Sequence, residues 1–171
     1  MTDNAPASHS KASGSTQEGL FQVLLDRDGV LSVVLATQDG IKLHFESNDS
    51  DFDDTQADYF AAIFTSLYGT VQGVKDLTGA PQAQLKHAGI QLDHVSLLLV
   101  GAGRDLVPPG MTFYQPSTDR AEVETCLGVL CTPGADEGAV GYEMGQLVRR
   151  MKGWWAAPVR LEKPGAAAAE Q

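Results

Sequence analysis

Apolar residues recur along the chain in two rhythms, one near 3.6 residues and one of two. Leu20, Phe21, Leu24 and Leu25 carry the first and predict a short helix, with Ser15 or Thr16 as candidate caps and Asp28-Gly29 at its end. Val30 to Ala36 is apolar on both faces, with Val30, Val34 and Ala36 on one and Leu31, Val33 and Leu35 on the other. Such a strand is central in a sheet covered on both sides. Asp39-Gly40 is a hairpin turn signal. Ile41, Leu43 and Phe45 then alternate with Lys42, His44 and Glu46, the pattern of an edge strand with one wet face.

Asp53 or Asp54 is placed to cap a long helix that runs to about Leu77, where Gly79-Ala80-Pro81 stops it. Two stripes stand on this helix. Phe60, Ile63, Phe64, Leu67, Val71 and Val74 form a wide apolar face, expected to be core. Ala62, Ser66, Gly69 and Gly73 form a second face of small residues. Each glycine inside a helix costs roughly 1 kcal/mol relative to alanine. A small-residue stripe kept at that cost points to close approach of another helix.

Gln84 to Leu92 reads as a weak, polar strand, Asp93-His94 as a turn, and Val95 to Val100 as a strong strand. A long connection with several prolines runs from Gly103 to Glu124. Leu127 to Thr132 is a last, double-faced strand. Asp136 caps a final helix whose core face is Val140, Met144, Leu147, Val148 and Met151, with Arg149, Arg150 and Lys152 at the end favoured by the helix dipole. The two double-faced strands belong at the centre of the sheet, and Ile41 to Glu46 and Gln84 to Leu92 at its edges. The expected class is a three-layer α/β sandwich with an antiparallel sheet.

The chain has 171 residues, enough for one domain. Residues 1–17 and 156–171 lack large apolar clusters and are expected to be flexible tails around a domain at 18–155. Trp154 and Trp155 are expected to cover its flank. Acidic residues number 22 against 12 basic, a net charge of −10, which argues against nucleic acid and against an anionic membrane surface as partners. No apolar run approaches the ~18 residues of a membrane span, and no signal peptide is expected. The two cysteines, Cys126 and Cys131, fall five apart on one strand and so on opposite faces, which fits a reduced, cytoplasmic protein.

The search for catalytic chemistry returns little. Gly101-Ala102-Gly103 lacks the third glycine and following helix of a dinucleotide loop and reads as a strand-end turn. Asp49, Asp51 and Asp53 open like a calcium loop, but Asp54 and Phe60 occupy the positions of its glycine and closing glutamate. His44, His87 and His94 have no partner at ligand spacing and read as surface histidines, and each cysteine reads as a small core residue. No catalytic, metal-binding or cofactor-binding residue is expected.

Several segments resemble the roadblock / dynein light chain family, and more narrowly its bacterial branch associated with small Ras-like GTPases. They are Asp28-Gly29-Val30, Gln38-Asp39-Gly40-Ile41, the helical run Ala61 to Leu67, and Gly138-Ala139-Val140-Gly141-Tyr142-Glu143-Met144. The resemblance spans about Leu20 to Met151. The short first helix, the long connection at 103–124, and a strand at 84–92 without a run of valines depart from the family pattern. The resemblance implies a five-stranded antiparallel sheet in the order 2-1-5-4-3 with helices on both faces. It implies a homodimer formed through the third strand and the long second helix, whose helix pair faces a GTPase. On this chain the seam would be Ala62, Ser66, Gly69 and Gly73, flanked by Tyr59, Thr70 and Gln72 as partner-binding residues. Bacterial relatives sit in signalling modules with a GTPase and a sensor kinase, so both are candidate partners. The implied role is a non-enzymatic, cytoplasmic GTPase regulator. The alternatives are a scaffold or adaptor with no effect on GTP hydrolysis, and, further off, an enzyme built on the loop around Met111 to Gln115.

Overall fold

The computed structural model describes residues 19–79, 83, 85–104, 106–107 and 123–152, without the side chain of Asp76. Both expected tails, the caps at Ser15 or Thr16, the tryptophans Trp154 and Trp155, and the loop around Met111 to Gln115 lie outside the described residues.

The first apolar cluster forms a single helical turn, α1 (Gln22–Leu25), with Leu20, Phe21, Leu24 and Leu25 all buried. The chain then reverses at Gly29, whose φ of +82° suits glycine. A Cβ there would also lie 2.8 Å from the Ala135 Cβ and the Thr132 Oγ1. Strands β1 (Val30–Thr37) and β2 (Lys42–Ser47) follow as a hairpin closed by Gly40 at φ +89°. Helix α2 (Asp54–Leu77) starts where the Asp53 Oδ1 accepts the Gln56 N–H at 2.9 Å, and the chain leaves it through Gly79 at φ +68°. Strands β3 (Ala88–Gln91), β4 (Ser96–Gly103) and β5 (Thr125–Cys131) complete the sheet. Helix α3 (Glu137–Met151) is capped by Asp136, whose Oδ1 accepts the Ala139 N–H at 2.9 Å.

All strand pairs are antiparallel and the order is β2-β1-β5-β4-β3, so the double-faced strands β1 and β5 are adjacent near the centre. Helices α1 and α3 cover one face, packing Phe21, Leu24, Met144, Leu147 and Met151 on Val33, Leu35, Leu98 and Val129. Helix α2 covers the other, packing Ala57, Phe60, Ala61, Phe64 and Tyr68 on Val34, Ala36, Leu99 and Cys126. Phe52, Phe60 and Phe64 meet edge to face beneath α2, with centroids 5.9 and 5.2 Å apart. Cys126 and Cys131 sit in opposite cores, both as free thiols.

Several local expectations need correction. A register shift between Val30 and Ser32 moves Val30 to the face of Val33 and Leu35, away from Val34 and Ala36. In β2, Leu35 pairs with His44 and Ala36 with Lys42, which leaves Leu43 as an extra residue. Leu43 therefore packs on the α1/α3 side and Phe45 on the α2 side, and every β2 residue is half-buried instead of alternating wet and dry. The strand expected over 84–92 is confined to Ala88–Gln91. Gly101-Ala102-Gly103 belongs to β4 instead of a turn beyond it, and β5 begins two residues earlier than expected and ends at Cys131. His44 is not a surface histidine. Its Nε2 lies 3.0 Å from the Glu46 Oε1, its ring is 5.1 Å from that of Phe21, and the Glu46 Oε2 accepts the Phe21 N–H.

Candidate interaction surface

Helix α2 is the element that must satisfy two demands, one from the sheet below and one from whatever lies above. Its buried side is Ala57, Phe60, Ala61, Phe64, Thr65 and Tyr68. Relative to the expected apolar face the helix is rotated by about a quarter turn. The reason is close packing. Phe64 sits on Gly128 of β5, where a Cβ would lie 2.8 Å from the ring. Ala57 and Ala61, fully buried on the same side, are small enough for such an approach.

That rotation turns Ile63 and Val74 outward, against expectation, with 60% and 49% of their surface exposed. Tyr59 at 69% and Leu77 at 87% extend the same row. Ala62, Ser66, Gly69, Thr70 and Gly73 are exposed beside it. A Cβ added at Gly69 or Gly73 would meet nothing within 4 Å. The Ser66 hydroxyl donates to the Ala62 carbonyl at 2.8 Å and the Thr70 hydroxyl to the Ser66 carbonyl at 3.0 Å, so their polarity is spent inside the helix. The outer face of α2 is thus apolar, with a shallow channel of small residues. Gln72 is half-buried and stands off this row. Ile63, Val74 and Leu77 are surface residues that the sequence reading did not place here. The signal that could have found them is Ala57-Ala61-Phe64-Tyr68, a second apolar row at spacings of four, three and four.

Polar contacts hold α2 at its start and again past its middle. At its start the Lys42 Nζ lies 2.7 Å from the Asp54 Oδ1 and 2.8 Å from the Asp58 Oδ1. Burial works against the Lys42 charge, but hydrogen bonds and Coulomb attraction from both carboxylates outweigh it and hold its pKa above the usual 10.5. Further along, the Tyr68 hydroxyl donates to the Glu124 Oε2 at 2.7 Å, while the Glu124 Oε1 faces Arg104 at 3.3 Å. Burial first, then Glu124, pushes the Tyr68 phenol up.

The remaining candidate chemistry has structural employment. The Asp49 Oδ1 accepts the Asp51 N–H and Asp53 caps α2, and no group of three His, Cys, Asp or Glu among the described residues could hold a metal. Cys126 is held up by burial and then by Glu124, and its thiol faces the Ala36 carbonyl at 3.8 Å. Burial, then Glu137, pushes the Cys131 thiol up to about 11. Neither thiol has the depressed pKa of a nucleophile. A second exposed apolar feature is the edge strand β3, where Ile90 and the following Leu92 face outward.

No protein-family model and no curated protein matches the chain. Solved structures do. The crystal structure of a Roadblock/LC7 domain from Streptomyces avermitilis aligns with a TM-score of 0.58 at 25% identity, over 80% of this chain and 95% of that one. The chain has the Roadblock/LC7 fold. Its likeness extends to the gliding protein MglB of Thermus thermophilus, with a TM-score of 0.56 at 15% identity over 78% of this chain and 85% of that one. It extends also to an MglB described with a tetrameric arrangement, with a TM-score of 0.52 at 14% identity over 77% and 87%. In this sheet order the β1–β2 and β3–β4 hairpins flank β5. No helix among the described residues is long and apolar enough to cross a membrane.

Proposed function

We propose that this roadblock-fold chain is a non-enzymatic regulator of a small Ras-like GTPase, acting as a homodimer whose outer α2 faces bind the partner. The observation that carries the reading is the uncovered face of α2, where Tyr59, Ile63, Val74 and Leu77 stand exposed beside Ala62, Ser66, Gly69 and Gly73. Large apolar side chains exposed along one helix face are the mark of an interaction site. The small residues suit self-pairing of the helix, and Tyr59 and Thr70 would then flank the seam where a second protein can reach them. Gln72, half-buried, is the weakest member of the expected partner set. The resemblance to GTPase-associated roadblock proteins supplies the partner class, and the tetrameric arrangement of an MglB supports assembly through this fold. A sensor kinase in the same module remains part of the proposal only through that resemblance.

The test is calorimetry of the purified chain against a co-encoded Ras-like GTPase loaded with GDP or GTP, and against GTP alone. The expected result is binding of at least one loaded GTPase, no binding of free nucleotide, and weaker binding when Tyr59 and Thr70 are both changed to Glu. Binding without any change in the rate of GTP hydrolysis would identify a scaffold. Absence of binding in both nucleotide states would remove the regulator reading.

A further inference from the structure

The chain carries a net charge of −10, yet among the described residues most cations without an ion pair are gathered in one place. Among the described residues Arg27 pairs with Glu143, Lys42 with Asp54 and Asp58, and Arg104 with Glu124. Lys75, Lys86, Arg149, Arg150 and Lys152 form no ion pair among those residues. All of these except Arg150 line a single cleft of about 830 Å³, bounded by the end of α2, the end of β4 and the outer side of α3. The carboxylate of Glu124, which also lines it, is already taken by Tyr68 and Arg104.

The helix dipole accounts for part of this. Lys75 lies in the last turn of α2 and Arg149 in the last turn of α3, where cations are favoured. It does not account for Lys86, which stands on no helix and approaches the cleft from the segment before β3. Nor does it account for the room left between the cations. Gly103 of β4 and Gly145 of α3 line the cleft, and a Cβ at either would meet nothing within 4 Å. Tyr142, exposed on α3, provides an apolar wall.

We propose that this cleft binds an extended acidic peptide segment of a partner protein, its carboxylates met by Lys75, Lys86, Arg149 and Lys152. Charge complementarity selects an anion, and the spread of the cations over separate elements selects an extended one. A compact phosphate group is favoured by converging N–H groups at a helix N-terminus. Here the nearby helix ends are C-terminal and present carbonyls, which disfavour concentrated negative charge. The glycine walls let a peptide main chain approach closely. The site lies apart from the exposed row of α2, so it stands independently of the GTPase reading.

Fluorescence anisotropy on the full chain tests it, with a short labelled peptide of alternating Glu and Ala and a control with Gln in place of Glu. The Glu peptide is expected to bind, and to bind more weakly as salt rises. Changing Lys86→Glu together with Arg149→Glu is expected to weaken binding on the order of tenfold or more. Arg150→Glu reverses a charge on the same helix outside the cleft and is expected to change affinity by less than about twofold. Thermal melts of the variants establish that they remain folded. Equal binding of the Gln peptide, an equal loss with Arg150→Glu, or pyrophosphate binding more tightly than the peptide would each overturn the proposal.

Discussion

Gly128 is a residue whose importance lies in what it lacks. Its missing Cβ is the space that the Phe64 ring occupies, 2.8 Å from where that atom would stand. Gly128→Ala is therefore expected to destabilise the chain by about 1–3 kcal/mol in urea unfolding, because a well-packed core cannot absorb the extra atom freely. The buried thiols and phenol make a second residue-scale prediction. An unfolded cysteine titrates near its ordinary 9.0, whereas the folded Cys131 keeps its proton up to about 11. Across that window the unfolded state binds fewer protons, so stability falls as pH rises. Cys126, Tyr68 and Lys42 are also raised and act with the same sign. Their contribution is complete below pH 9, and the melting temperature is expected to drop between about pH 9 and 11. A flat profile there would show that the thiols are not enclosed. At this scale Val30 and Leu43 were not legible in the sequence. Each sits at a register shift, and strict alternation of faces fails where one strand carries an extra residue.

At the scale of elements, ends were easier to read than orientations. Asp53 and Gly79 bracket α2, and Asp136 caps α3, because caps act through local backbone geometry. The orientation of α2 was harder, because two overlapping apolar rows share Phe60 and Phe64 and the choice between them is made by packing on the sheet, including the seat of Phe64 on Gly128, more than sixty positions away in sequence. Helix α3 was legible in full, since its apolar arc is narrow and its five core residues are all buried. Met144, fully buried, is expected to cost about 2–5 kcal/mol when changed to Ala. Tyr142→Ala, two residues earlier and 64% exposed, is expected to cost within about 0.5 kcal/mol. Comparable losses from both in denaturant titration would contradict this register. The same contrast applies to α2. Ile63→Asp is expected to leave the melting temperature of dilute protein nearly unchanged, although the sequence pattern assigned Ile63 to the core. A loss on the scale of Met144→Ala would place it back inside.

At the scale of the whole molecule, two apolar surfaces stay open among the described residues, and they lead to different assemblies. The outer face of α2 offers large apolar side chains around a channel of small ones. The free edge of β3 offers unpaired backbone, with Ile90 and Leu92 exposed. The strand is only four residues long and three of them are exposed, so it can contribute few ladder bonds and little burial to an interface. Helix α2 runs for 24 residues and presents its apolar row from Tyr59 to Leu77. Pairing two copies through α2 therefore removes far more apolar surface from water, at roughly 25 cal/mol for each Å² buried. The chain is expected to be a dimer by light scattering at micromolar concentration. Ser66→Trp, in the middle of the channel, should block the approach of the second helix and shift the mass toward monomer without unfolding the domain, since Ser66 is exposed. Ile90→Lys should leave the dimer in place. If Ile90→Lys dissociates the dimer and Ser66→Trp does not, the assembly runs through the sheet edge, and the outer face of α2 is then left wholly to another protein.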